Sequence, residues 1–196
     1  MRDANACSDN EDARLLARIA AGDRQAFERL YHLYFARLTR FLHRSTRSLP
    51  LVEEIVNDTM LVVWNKAPSW DASCKVSTWI FAIAWRRARK ALSSANRGSG
   101  AGVGEGMEVE PDLMEAPPDS QPERQFALLR QHEAVDAALN ALSPEQRAVV
   151  QLTYFHDMAY ADIADVLGCP QNTVKTRMFH ARRRLAALLA DRQEVP

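Results

Sequence analysis

The stretch "SANRGSGAGVGEGMEVEPDLMEAPPDSQPE", from Ser94 to Glu123, limits the fold more than any other feature of this chain. It is rich in glycine, proline, serine and acid and poor in large apolar side chains. Such a segment cannot bury enough apolar surface to offset its own ordering entropy. It therefore predicts a flexible acidic linker over 96–121. The chain then reads as an N-terminal unit over 1–95 and a C-terminal unit over 122–196.

Both units carry helical periodicity and neither carries a strand pattern. Leu15, Leu16, Ile19 and Ala20 step as on one helix face, and Gly22 stops them. Asp23 is a good N-cap for a helix on which Phe27, Leu30, Tyr31, Tyr34, Phe35, Leu38 and Leu42 form a wide apolar stripe. "SLP" breaks it, a third helix runs from about Leu51 to Lys66, and "PSWDASCKV" is a loop. Ser77 is expected to cap a fourth helix. Beyond the linker, a helix is expected from about Glu123 to Ala141. "SPEQ" at 143–146 then forms a capping box with proline in the first turn. Short helices to about His156 and over Tyr160–Leu167 follow, and Gly168 turns the chain into a last helix from about Gln171 to Ala190. The expected fold is all-α: two small helical bundles joined by a flexible acidic linker.

Net charge is zero, from 25 basic and 25 acidic residues, but the charges are segregated. No acid lies between Asp71 and Glu105, where Lys75, Arg86, Arg87, Arg89, Lys90 and Arg97 fall. None lies between Asp165 and Asp191, where Lys175, Arg177, Arg182, Arg183 and Arg184 fall. Two basic patches masked by an acidic linker are the electrostatic footprint of a nucleic-acid binder.

"YADIADVLGCPQNTVKTRMFHARRRL" has the build of a helix-turn-helix. Ile163, Val166 and Leu167 pack its first helix; Val174, Met178 and Leu185 anchor its second. The second helix would then present Asn172, Thr173, Lys175, Thr176 and Phe179 to a major groove. Arg177 and Arg182 to Arg184 are placed for phosphates. The bland alternative is a helical hairpin with a basic solvated face. Glycine at the turn, apolar spacing and the missing acids all favour the first reading.

"STWIFAIAWRRARK", from Ser77 to Lys90, combines aromatics with cations. Positions 79, 83 and 86 share one helix side and 81, 85 and 88 another, so at least half of the aromatics must be core. Trp79 is expected near nucleic acid and Trp85 packed.

At these two stretches the chain resembles a known family. "LSPEQRAVVQLTYFHDMAYADIADVLGCPQNTVKTRMFHARRRL" resembles region 4 of the extracytoplasmic-function (ECF) sigma factors of the sigma-70 family. "EEIVNDTMLVVWNKAPSWDASCKVSTWIFAIAWRRARK" resembles their region 2. The resemblance implies a sigma factor that binds core RNA polymerase and directs promoter recognition and transcription initiation. It places polymerase docking on Glu54, Asn57, Asp58 and Trp64, with Trp64 open between docking and core. Asn57 stands where the family usually has glutamine. Ile55, Val56, Leu61 and Val62 are expected in the bundle's own core. Minus-10 contacts to a melted strand fall on Trp70, Lys75, Ser77, Thr78, Trp79, Arg86, Arg87 and Lys90. Stacked aromatics would hold bases and cations the backbone. Arg86 stands where the family often has asparagine, which shifts its expected role toward charge. Minus-35 contacts fall on Asn172, Thr173, Lys175, Thr176 and Phe179, with Arg177, His180 and Arg182 on the backbone. An anti-sigma partner is also implied.

A rival reading is a helix-turn-helix regulator acting without sigma activity, its N-terminal bundle serving dimerisation or sensing. Catalysis finds no support: Glu53 and Glu54 are adjacent and diverge, and no nucleophile–base set or phosphate-binding glycine loop is legible. His156 and Asp157 read as capping or solvated. Cys7, Cys74 and Cys169 are dispersed, which points to free thiols rather than a zinc site or disulfide framework. No metal or cofactor is expected. No apolar run approaches the roughly 20 residues of a membrane helix, and the polar N-terminus lacks a signal-peptide pattern. A cytoplasmic protein is expected.

Overall fold

The computed structural model describes residues 2–44, 46, 48–98 and 134–190, and among these every regular element is a helix. The N-terminal lobe holds α1 (Arg2–Ala20), α2 (Arg24–His43), α3 (Leu49–Lys66), a 3-10 turn (Ala67–Ser69) and α4 (Val76–Gly98). The C-terminal lobe holds α5 (134–140), α6 (Pro144–Tyr154), α7 (Tyr160–Leu167) and α8 (Gln171–Ala190).

Several boundaries follow from local chemistry foreseen above. Gly22 takes a φ of +87°, a left-handed conformation that ends α1. Asp23 then accepts the Ala26 amide at 3.1 Å as N-cap of α2. Ser143 and Gln146 exchange the two bonds of a capping box. Gly168, at φ +63°, closes α7.

Other boundaries differ. α3 begins at Leu49, because Pro50 fits the first turn of a helix as well as it breaks the one before. α4 begins at Val76, since the Trp79 amide already bonds to the Lys75 carbonyl. Ser77 thus lies inside the first turn rather than capping it. α4 also runs on to Gly98, into the start of the expected linker. The rest of that linker, and the expected helix before residue 134, lie outside the described residues.

Each lobe has an apolar centre. Leu16, Leu30, Tyr34, Phe41, Met60, Ile80 and Phe81 fill the first; Leu152, Ile163, Val174 and Met178 fill the second. The buried Asp12 carboxylate accepts the Tyr34 hydroxyl, and burial pushes its carboxyl above the ordinary value. The two centres merge into one continuous apolar cluster, because α7 packs on α4 and α6 meets α2.

Candidate DNA-reading and polymerase-docking surfaces

The candidate docking residues lie along one side of α3. Glu54 and Asn57 are exposed and Asp58 is half-exposed. Asn57 is oriented from α2: the Tyr31 hydroxyl donates to its side-chain oxygen at 2.9 Å. Trp64 is half-buried, edge-on to Phe27 at 5.2 Å. Ile55 and Val56 are core, as expected, but Leu61 is not: it is 58% exposed. The sequence reading missed it because an apolar residue was assigned inward by type. Its position held the signal, since 54, 57, 58 and 61 step along one helix face. An exposed leucine beside two carboxylates and an amide suits an amphipathic, partly basic partner surface.

The candidate minus-10 residues divide into covered and open groups. Trp85 is 4% exposed and packs by Phe41, while Trp79 is half-buried and also packs against the core at its edge. Thr78 and Ser77 are buried, at 1% and 8% exposed. Trp70 is half-buried, its indole nitrogen without a hydrogen-bond partner. Lys75 is paired with Asp162 and Asp9. Burial works to lower its pKa, but those two carboxylates outweigh it and hold the ammonium above its ordinary value. Arg86 and Lys90 are exposed, and Arg86 donates back to the Ala82 carbonyl at 3.0 Å. Arg87 is bound to Asp58, a pair the sequence reading had split between two surfaces.

The helix-turn-helix assembles as the spacing predicts. Val174 and Met178 are buried on α8, and Leu185 is packed at its edge. Asn172, Lys175, Thr176, Phe179, His180 and Arg182 lie exposed on the outward side, with Thr173 and Arg177 half-buried. Phe179 is 57% exposed, its outward ring flanked by the Arg183 guanidinium at 6.0 Å and the His180 ring at 5.5 Å. The Thr176 hydroxyl donates to the Asn172 carbonyl, and Arg182 donates to the Tyr154 hydroxyl at 2.7 Å.

His156 is neither a cap nor solvated. Its ring sits 4.7 Å from Phe81 and 6.1 Å from Phe41, at the seam between lobes. Burial, then the charges of Arg37 and Arg40, lower its pKa to about 4. The thiols offer little chemistry: Cys74 and Cys169 are free, and burial with nearby Asp165 and Asp71 pushes the Cys74 thiol up. No group of metal-ligating side chains and no membrane-length apolar helix occurs among the described residues.

An all-helical two-lobed protein with a helix-turn-helix in its C-terminal lobe is a DNA-binding architecture. Comparison with known proteins narrows it. The sigma-70 region 2 family matches residues 30–98 and the sigma-70 region 4 family matches residues 132–185. The ECF RNA polymerase sigma factor SigM of Mycobacterium tuberculosis is 32% identical over 181 residues, covering 92% of this chain and 86% of that protein. The ECF sigma factor RpoE of Cereibacter sphaeroides is 29% identical over 166 residues, 83% and 86% of the two chains. The fold also resembles the sigma factor RpoE of Bartonella quintana, solved in complex with the anti-sigma factor NepR. That match has a TM-score of 0.67 at 24% identity, over 84% of this chain and 96% of that one. This chain belongs to the ECF RNA polymerase sigma factors of the sigma-70 family.

Proposed function

We propose that the chain acts as a dissociable, non-enzymatic specificity subunit of bacterial RNA polymerase in the cytoplasm. Glu54, Asn57, Asp58 and the exposed Leu61 make the docking face, with Trp64 bracing it from below. The loop and first turns of α4, with Trp70, Lys75, Ser77, Thr78, Trp79, Arg86, Arg87 and Lys90, capture the unpaired minus-10 strand. Asn172, Thr173, Lys175, Thr176 and Phe179 read the minus-35 duplex, where lysine can donate to guanine O6 and N7 and phenylalanine can meet a thymine methyl. Arg177, His180 and Arg182 hold its backbone. Residues 1–95 and 122–196 serve as the two functional units, tethered by 96–121 so that one binding event raises the effective concentration for the other.

The observation that carries this reading is the shared face of α3. Exposed acid, amide and leucine side chains stand there on a helix whose opposite side is fully core. A plain helix-turn-helix regulator would use such a face for dimerisation, so affinity for core polymerase separates the two readings. Solved relatives in complex with NepR and with the cytosolic domain of CnrY support an anti-sigma partner for this chain as well.

The test is transcription in vitro with purified core polymerase on the protein's own upstream region. Specific initiation should require the protein and fail with Asp58→Arg. Tight duplex binding with no affinity for core polymerase would instead make it a plain regulator.

A further inference from the structure

Tyr31 lies one turn from Phe27 and one turn from Phe35 on α2. Its ring stacks on Phe35 at 5.6 Å with 29° between the planes, and is tilted against Phe27 at 6.3 Å. Phe27 in turn stands edge-on to Trp64 of α3. A continuous row of aromatic rings thus joins α2 to α3, each of them packed against the core. A phenol ring clamped in this way has little rotamer freedom, so its hydroxyl occupies a fixed place. From that place it donates to Asn57 Oδ1 at 2.9 Å.

The bond settles which way the Asn57 amide faces. An amide free to turn can offer a partner either its oxygen or its nitrogen. With the oxygen engaged by Tyr31, Asn57 turns its N–H donors away from that bond. Among the described residues the amide nitrogen has no partner. Its neighbours along the face are opposite in kind, since the ionised Glu54 and Asp58 offer only acceptors. Asp58 is itself held from α4, by Arg87. The face is thus prearranged from both flanking helices, with acceptors at 54 and 58 around a donor at 57.

We propose that Tyr31 is a positioning residue for polymerase docking: it fixes the Asn57 amide with its nitrogen outward, so that this position selects a hydrogen-bond acceptor, a carboxylate or a main-chain carbonyl, on the partner. Tyr31 need not touch the partner. It removes the ordering cost of the Asn57 side chain on binding and disfavours the flipped amide. The inference rests on the reading of the α3 face as the docking site, and its test separates the two. The test is a double-mutant cycle on the affinity of the full chain for purified core RNA polymerase. Tyr31→Phe keeps the row of rings and removes the hydroxyl. In the native background it should raise Kd about threefold to tenfold. In an Asn57→Ala background it should leave Kd where Asn57→Ala alone sets it, because nothing remains to be positioned. A hydroxyl that served only the fold would shift both backgrounds alike. Equal shifts, or none in either, overturn the proposal. Asn57→Asp checks the donor: Tyr31 can still donate to the carboxylate, but the outward N–H groups are gone. At a salt concentration that screens the added charge, it should bind no better than Asn57→Ala, and tighter binding than that variant overturns the choice of an acceptor. Asp58→Arg and Leu61→Asp are read beside these. If neither changes Kd, α3 is not the docking face and the positioning role falls with it. If both weaken binding while the Tyr31→Phe shifts are equal, the docking face stands and the positioning role alone is removed.

Discussion

Arg87 of α4 donates to the carboxylate of Asp58 on α3, joining a candidate DNA-holding residue to a candidate docking residue. Both side chains are partly exposed, so the pair itself contributes little to stability, about 0–1 kcal/mol. Its consequence is positional: whatever grips Asp58 also sets where Arg87 points. Asp58→Arg should reduce core-polymerase affinity at least about tenfold, the loss of an interface charge set against a repulsion. Adding Arg87→Glu restores the local pair with signs exchanged. It should recover thermal stability but not polymerase binding, as read by melting and by fluorescence anisotropy against labelled core enzyme.

Leu61 gives a cleaner separation of folding from docking. It is 58% exposed, so Leu61→Asp should change stability by no more than about 0.5 kcal/mol. The same substitution should weaken polymerase binding by about 1–2 kcal/mol, about a fivefold to thirtyfold rise in Kd, as the loss of an anchoring apolar contact. An unchanged Kd would take Leu61 out of the docking face.

Arg147 ties the lobes together. Its guanidinium donates to the carbonyls of Leu139, Asn140 and Leu142 at the end of α5, and also to the Arg44 carbonyl after α2. Arg147→Ala should cost about 2–3 kcal/mol, because several partly buried carbonyls lose a charged donor together. Arg147→Lys should recover only part of this, since an ammonium cannot reproduce the planar fork. Thermal denaturation of the full chain measures both.

His156 makes stability depend on pH. Its folded pKa of about 4 lies below its ordinary value of 6.5, so the unfolded chain binds the proton more readily. Its contribution is therefore complete above about pH 7 and is lost as pH falls from 6.5 toward 4, by about 1–3 kcal/mol. The charged groups that resist its protonation further are Arg37 and Arg40 of α2; Arg44, just after α2, lines the small space beside it. His156→Phe should flatten the melting temperature between pH 7 and pH 5.

In the helix-turn-helix, base reading and backbone holding should separate by salt. Arg182→Ala should lower the slope of log affinity against log salt by about one unit and weaken all duplexes alike. Phe179→Ala should leave the slope unchanged and relax sequence preference at one position, at a cost of about 1–3 kcal/mol for the preferred base. Anisotropy titrations on duplexes at several salt concentrations distinguish them.

Local chemistry made much of this protein legible from its sequence. Asp23, the Ser143–Gln146 box and Gly168 act within a few residues of chain, so their caps and turns could be read without knowing what packs where. The apolar stripes of α2 and α8 likewise stated which sides would be buried. Tertiary structure alone decided the rest. Leu61 is apolar yet faces outward, because exposure depends on which neighbours occupy a face and not on residue type. His156 and Gln151 lie at the seam only because α6 meets α2, a contact between segments separated by the linker in sequence. Lys75 reads in sequence as one more cation of a basic patch. Only the approach of α7 gives it Asp162, and with it a charge balance that no spacing along the chain records.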